Sequence, residues 1–474
     1  MNVSGIQQQS EGEDLVRAET LFFEGNRHMA DGDISQAEMC FREALRLVPD
    51  FAEVHTNLGL LFDQAGLQEE AEKHYLRSIT CNPHYIQTYL NLGALLADQK
   101  RFEEAEAAYR QALELNPRSP VAWSNLGVLQ ACQKQEAAAE VSYRTAIELD
   151  ADYRLASFNF SYLLLRQGRF EEGWRCLEAR DWYTAFEKHL SCPRWRGEPL
   201  DGKSLLIGFE AGHGDMVQFC RYAALLKGQG AATIAIVCHP ALKRLFATLS
   251  GVDAVLSFAE PLPSAGWDFW TPPFSIPFYC QTRLDSIPAT LPYLWADKKM
   301  VAYWSSRLGN DSSLSELRVG LAWKGNPHFE NDSDRSLPTL ETLAPLGTIP
   351  GVRFFSLQKG VGEDEAAHPP IGLPLVNLGP QITDFADTAA IVENLDLVIC
   401  VDTAVAHIAG AIGKACWVLL PDYKTDWRWL TGRSDSPWYP GVLRLFRQPR
   451  MGDWTTVVAE VRTALQALVP KLNP

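Results

Sequence analysis

Residues 397–421 read LVICVDTAVAHIAGAIGKACWVLLP. Leu397–Val401 is an unbroken apolar run, as expected of a strand buried on both faces of a parallel sheet. It stops at Asp402 and Thr403. A helical pattern rich in small residues follows, and then a second apolar run, CWVLLP. Strand, helix and strand in this order predict a βαβ unit. Thr403 stands where the strand ends and the helix starts. A helix N-terminus presents unbonded N–H groups and a partial positive charge, which suits a phosphate. Thr403 can cap that end or donate its hydroxyl to a phosphate oxygen. Asp402 would repel a phosphate, so its expected work is to orient the loop or take a sugar hydroxyl. His407 lies four residues after Thr403 on the same helix face. The plainer alternative is a capped helix with His407 as a satisfied core histidine.

The same alternation extends in both directions. Upstream, KSLLIGFE (203–210) reads as a strand, GHGD (212–215) as a loop and MVQFCRYAALLKGQG (216–230) as a helix. ATIAIVC, AVLSF and WDFW read as further strands, with PALKRLFATLSG as a helix between the first two. A polar helical stretch, ADKKMVAYWSSRLGN (296–310), leads to a second series: RVGLAWKG, VRFFSLQK, LPLVNLG, LVICVDT and ACWVLLP as strands, DFADTAAIVENL and the final WTTVVAEVRTALQALV as helices. Two doubly wound halves, 203–298 and 316–474, imply a cleft between them. Ligands in such sheets sit outside the carboxyl ends of the strands.

The first third of the chain is different. Gly25, Gly59, Gly93 and Gly127 stand 34 residues apart, as do Ala37, Ala71, Ala105 and Ala139, and Phe41, Tyr75, Tyr109 and Tyr143. Pro49, Pro83 and Pro117 close three units, and Ala151 takes the fourth proline position. Asn57, Asn91, Asn125 and Asn159 carry the period into a fifth, degraded unit, where Gly173 and Trp174 replace the expected pattern. Small residues let two antiparallel helices cross closely, and the proline stops the second helix. The aromatic is expected to fill the gap to the next unit. Period, residue types and order match the tetratricopeptide repeat. The repeats occupy 17–187: four clear units and a fifth degraded one. A Pro- and Gly-rich linker at 188–202 follows. Such an array stacks into a superhelix whose concave face can take an extended peptide or protein. A spacer role, or a homo-oligomer formed through the repeats, is the alternative.

The whole chain has 474 residues, 46% of them hydrophobic, and a net charge of −15. That balance argues against a general nucleic-acid binder. No apolar run reaches transmembrane length and the N-terminus lacks a signal pattern, so a cytoplasmic protein is expected. Ten cysteines without a CxxC pair read as reduced thiols, with neither a disulfide frame nor a metal site.

Taken in order, LLIGFEAGHGDMVQFCRYAALL, VGLAWKGNPHFENDSDRSLP, FFSLQKG, VDTAVAHIAGAIGKACWVLLP and TDWRWLTGRSDSPWYP resemble the bacterial tetratricopeptide-repeat glycosyltransferases. The catalytic part is similar to the heptosyltransferase family, glycosyltransferase family 9. The layout is more distantly similar to the O-linked N-acetylglucosamine transferases. The resemblance covers about residues 17–465. It implies a GT-B fold of two Rossmann-like domains, with acceptor in the first and nucleotide sugar in the second. It also implies inverting transfer without a bound metal or cofactor, the nucleotide sugar being a substrate. In that group the loop after the first strand commonly reads Glu-Gln-Gly-Leu-Gly-Asp. Here it reads EAGHGD, with Ala211 and His213 at the variant positions.

The resemblance assigns Asp215 as the base, in an acceptor loop with Gly212, His213 and Gly214; the alternative is that Asp215 caps the following helix. Without a metal, diphosphate charge must fall on protein cations. Arg335 matches the basic residue of the family's Lys-Arg-Trp-Pro type motif, with Lys324 and Lys359 as further candidates. By spacing, Gln358 and Asn326 are placed to meet base or ribose. Asp402, Thr403 and His407 complete the nucleotide-sugar side. The aromatic cluster Trp427, Trp429, Trp438 and Tyr439, with Arg428 inside it, could line the sugar site; such a cluster is more often core packing, and it is left out of the catalytic set. The expected activity is sugar transfer to a protein or saccharide, with the repeats presenting acceptor or partner. The alternative is a repeat scaffold whose transferase-like part is catalytically weak.

Overall fold

The computed structural model describes residues 3–262, 266–309, 316–329 and 331–469, with side chains from Gly12 onward. The last five residues assigned to the second half, 470–474, lie outside the described residues. Two compact units are present, Met1–Phe160 and Ser161–Pro474.

The first unit is a helical solenoid. Its helices pair as Val3–Ala30 with Ile34–Leu47, Ala52–Gln64 with Gln68–Cys81, Ile86–Asp98 with Phe102–Leu115, and Pro120–Cys132 with Glu136–Leu149. Each turn inside a pair needs one residue in the left-handed region: Gly32 (φ 79), Gly66 (φ 76), Lys100 (φ 62) and Lys134 (φ 62). These positions are again 34 apart. The backbone therefore keeps the period where the side chain drifts from glycine to lysine, at about 1 kcal/mol for each non-glycine residue.

The aromatic column makes a contact beyond the expected one: Phe41, Tyr75, Tyr109 and Tyr143 lie on the glycine of their own pair. A Cβ on Gly25, Gly59, Gly93 or Gly127 would stand 2.5–2.8 Å from that ring. Sixteen residues separate glycine and ring, so the contact is decided within one helical hairpin. Tyr143 also reaches Phe160 of the following helix, with centroids 5.5 Å apart. Gly93→Ala gains roughly 1 kcal/mol in helix propensity, but forces Tyr109 out of its place, which costs about 1–3 kcal/mol. Net destabilisation in urea titration is the expected result; a stabilised variant would show that the ring moves at no cost.

The second unit is α/β. Its first sheet has four parallel strands: β1 Ser204–Ile207, β2 Thr233–Cys238, β3 Ala254–Ser257 and β4 Phe269–Thr271, in the order β3-β2-β1-β4. Its second sheet has six: β5 Leu317–Ala322, β6 Val352–Ser356, β7 Leu375–Asn377, β8 Leu397–Val401, β9 Cys416–Leu420 and β10 Leu443–Arg447. They lie in the order β10-β9-β8-β5-β6-β7, all parallel. Numbered within the sheet, that order is 3-2-1-4-5-6 when read from the far edge, the doubly wound arrangement whose switch point lies between its first and fourth strands, here β5 and β8. The inner strands β5, β8 and β9 are buried on nearly every residue, which explains their mostly apolar runs.

Two local expectations change. GHGD is not all loop, because the helix His213–Phe219 already starts inside it. The stretch read as one helix is two, His213–Phe219 and Tyr222–Gly228, with a break at Cys220–Arg221. The second helix of the degraded fifth repeat, Phe170–Leu177, belongs to the α/β unit. Trp174 packs edge-on against Phe219, Trp427 and Trp438 and donates to the Thr282 carbonyl at 2.9 Å. A large ring at this position serves the core of the α/β unit, where the four clear repeats carry a glutamate (Glu38, Glu72, Glu106 and Glu140). Helix Lys298–Leu308 packs on the second half, with Trp304 Nε1 donating to Asp387 Oδ1 at 3.0 Å. Among the described residues no helix is long and apolar enough to cross a membrane.

Candidate functional site

A cleft of about 920 Å³ lies between the two halves of the α/β unit, at the carboxyl ends of β1, β5 and β8. It is lined by Gly212, His213, Gly214 and Asp215 from the first half. From the second half come Lys324, Asn326, Arg335, Gln358, Lys359, Asp402, Thr403 and His407. The residues assigned to catalysis, the nucleotide sugar and the acceptor loop thus border one space, though with differing freedom to act.

Thr403 caps the eight-residue helix Ala404–Ala411. Its Oγ1 accepts from Val405 N (3.3 Å) and its carbonyl accepts from Ala406 N (3.0 Å). The Ala404 N–H at the cleft end of this helix has no hydrogen-bond partner among the described residues. The hydroxyl proton of Thr403 is likewise uncommitted. Asp402 is buried behind the cap and accepts from Trp429 Nε1 at 2.8 Å. Burial, with Asp426 nearby, pushes its carboxyl up to about 6, while Arg335 pulls the other way.

Arg335 projects from the short helix Asp332–Arg335. Its Nε donates to Asp332 Oδ1 at 3.1 Å, and its guanidinium lies 4.3 Å from the Phe329 ring centroid. Its two terminal nitrogens have no hydrogen-bond partner among the described residues. Gly325 makes room for it, since a Cβ there would collide with Asp332 Oδ1 and meet Arg335 Nη2 at 2.8 Å.

Other candidates are engaged. Gln358 Oε1 accepts from the backbone N–H groups of Trp323 and Lys324 (2.9 and 3.0 Å). Its Nε2 donates to the carbonyls of Lys324 and Val361 (3.1 and 2.8 Å). With all four directions used, Gln358 braces the ends of β5 and β6 and has nothing left to read a base or ribose. Lys324 Nζ donates to the Pro338 carbonyl at 2.8 Å and sits 3.4 Å from Glu365. Lys359 Nζ donates to the Gly379 carbonyl at 3.0 Å and pairs with Glu363 at 3.4 Å. Asn326 Oδ1 closes a turn onto His328 N at 3.1 Å, which leaves its amide N–H₂ exposed.

His407 does not reach toward the helix start. It is buried, stacks on Trp429 with centroids 5.5 Å apart, and shares a 2.8 Å hydrogen bond between Nδ1 and Tyr439 OH. Burial and the nearby Arg428, Arg221 and Arg335 hold it neutral. A Cβ on Gly214 would lie 2.7 Å from the His407 ring, so this glycine lets the two halves meet.

Asp215 occupies the first turn of helix His213–Phe219. Its Oδ2 accepts from Gly212 N at 2.7 Å, so the capping reading describes part of its work. Its Oδ1 meets Arg428 Nη2 of the opposite half. Arg428 in turn donates to Asp426 at 2.7 Å and to Gln218 at 2.5 Å. Burial pushes the Asp215 carboxyl upward while Arg428 draws it down. The side chain is still 19% exposed to the cleft, and each carboxylate oxygen has a second lone pair. Ala211, just before, holds a left-handed backbone (φ 60) that glycine would adopt more cheaply.

Sequence reasoning missed Arg428. It belongs to an aromatic cluster that is indeed core: Trp427, Trp429, Trp438 and Tyr439 are all buried. The arginine turns out of that cluster to Asp215, 213 positions away. The signal lay in DWRW, a charged residue between two buried tryptophans.

The tetratricopeptide repeat family matches residues 24–86, 86–119 and 108–141. The chain carries these repeats. A curated relative, Protein FlbA of Caulobacter vibrioides, is 28% identical over 342 residues, which is 66% of this chain and 55% of that protein. The chain therefore spans little more than half the length of that relative. Among solved structures, pilF of Pseudomonas aeruginosa is 21% identical with a TM-score of 0.33, over 36% of this chain and 76% of its own. A thermophilic TPR protein from Thermus thermophilus is 22% identical with a TM-score of 0.32, over 34% of this chain and 89% of its own.

Proposed function

We propose that the α/β unit is a GT-B glycosyltransferase, similar to the heptosyltransferase family, that moves a sugar from a nucleotide sugar to an acceptor hydroxyl. One observation carries the reading. A threonine-capped helix N-terminus stands at the switch point of the six-stranded sheet, and it shares a cleft with the unengaged terminal nitrogens of Arg335. Together they form a fit for a diphosphate. In this reading the donor lies against the second half. The acceptor oxygen bonds to the anomeric carbon as the bond from that carbon to the diphosphate oxygen breaks. Asp215 takes the acceptor proton, and the nucleoside diphosphate leaves with its charge on Arg335 and the helix end. Arg428 positions Asp215 from across the cleft. Asp402, tied to Trp429, shapes the loop from behind. The repeats present a protein partner or the acceptor.

A second reading also has support: a repeat scaffold with a weak or inactive transferase-like unit. Lys324, Lys359 and Arg428 all spend their charge inside the protein, and Asp215 is both cap and ion-pair partner. Thermal shift with UDP, GDP, ADP and CMP and their sugars separates the two, because ligand binding to the native state raises the melting temperature. A rise with one nucleotide class is expected; no rise with any of them favours the scaffold. Arg335→Gln should weaken that nucleotide about 10- to 100-fold, the worth of a charge-assisted hydrogen bond or two. Equal affinity in calorimetry would remove Arg335 from the site.

A further inference from the structure

The wall of the cleft carries one feature that the reaction scheme does not use. Trp182 lines the cleft and is 41% exposed. An indole of that size left in a concave space is unusual for a chain that buries most of its tryptophans. The ring is also held. Trp182 packs edge-on against Phe274, with centroids 5.8 Å apart at 84°. Phe274 also lines the cleft and lies under the Arg428 guanidinium, 5.4 Å away. The residues close to Trp182 in the chain are anchored. Arg180 is wholly buried and bonds Glu210 at 2.6 and 3.1 Å and Ser275 Oγ at 2.9 Å. Tyr183 is buried, with the Arg194 guanidinium 4.3 Å from its ring centroid and Arg194 Nη1 donating to its hydroxyl at 2.5 Å.

Glu210 is also the first residue of the EAGHGD loop that ends in Asp215. The buried Arg180–Glu210 pair therefore ties the segment that carries the indole to the loop that carries the proposed base. The aromatic wall continues with Tyr162, 37% exposed. Arg180, Arg194, Glu178 and Glu210 are committed to one another.

We infer that Trp182 is the platform of the acceptor subsite, and that it takes an uncharged pyranose ring stacked by its C–H face. The inference rests on the glycosyltransferase reading and deepens it: the acceptor is a saccharide rather than a peptide side chain. A flat, rigid, uncharged indole suits the axial C–H bonds of a sugar, whose hydroxyls then point sideways, one of them toward Asp215.

The test uses the full chain with a saturating nucleoside diphosphate and a panel of methyl glycosides (glucose, galactose, mannose and rhamnose, both anomers). Saturation-transfer NMR should show transfer to the ring protons of at least one glycoside. Trp182→Ala should abolish that transfer and Trp182→Phe should retain part of it. The thermal shift given by the nucleoside diphosphate should be unchanged in both variants. Transfer that persists in Trp182→Ala, or no glycoside binding by a wild-type chain that binds nucleotide, overturns the inference alone. Absence of nucleotide binding overturns the glycosyltransferase reading beneath it. Loss of the nucleotide shift in Trp182→Ala together with its retention in Trp182→Phe would assign the indole to the donor instead, and would overturn the acceptor platform.

Discussion

Asp215→Asn is expected to lower turnover about 10²- to 10⁴-fold while nucleotide affinity and melting temperature stay near the wild type, as befits loss of a positioned base. The isosteric amide can still accept the Gly212 N–H, since Asn and Asp cap helices alike. Arg428 keeps Asp426 and Gln218 as partners. The substitution thus removes proton-accepting power and little else. Donor hydrolysis by water serves as the readout before the acceptor is known. Unchanged hydrolysis and transfer would leave Asp215 as a cap and clasp only. Burial raises this carboxyl, so activity should rise with pH as Asp215 ionises, with its midpoint above that of an ordinary aspartate.

Arg180→Met is expected to destabilise the α/β unit by about 3–5 kcal/mol, because it strands a buried carboxylate. Arg180 and Glu210 are each 0% exposed in their side chains. The double variant Arg180→Met with Glu210→Met should recover much of that loss, since a buried pair replaced by apolar groups of similar size is often near neutral. The pH dependence has a definite sign. Burial alone raises the Glu210 carboxyl and Arg180 lowers it. Without Arg180, folded Glu210 holds its proton to higher pH than in the unfolded chain. The single variant should therefore be most stable at low pH and lose stability as pH rises through that carboxyl. Urea titrations at several pH values check this, and a pH-independent loss would mean that the pair is not the source. The repeats, a separate compact unit, should melt as in the wild type.

Much of the cleft was legible because its key signals are local. Thr403 caps the helix that its own sequence begins, and Asp215 sits three residues after the glycine whose N–H it accepts. What was not legible is which side chains are already spent. Lys324, Lys359 and Gln358 look like ligand-facing groups at strand ends. Each is taken up by backbone groups or carboxylates on other loops: Pro338 and Glu365, Gly379 and Glu363, Trp323 and Val361. Arg428 reads as core and is the partner of Asp215. Hydrogen-bond capacity is finite, so a residue's availability depends on neighbours that the linear order does not reveal.

The sequence by itself determined the helical repeats and the alternation of strand and helix. Their contacts are either short in range, such as Gly93 on Tyr109 sixteen residues later, or periodic, such as strands buried on both faces. Only the tertiary structure decided the order β10-β9-β8-β5-β6-β7, the switch point at β5 and β8, and the meeting of Asp215 with Arg428. Apolar strands of similar composition can neighbour one another in many orders. Packing of the covering helices and satisfaction of buried charge select one of them, and both are properties of the assembled molecule.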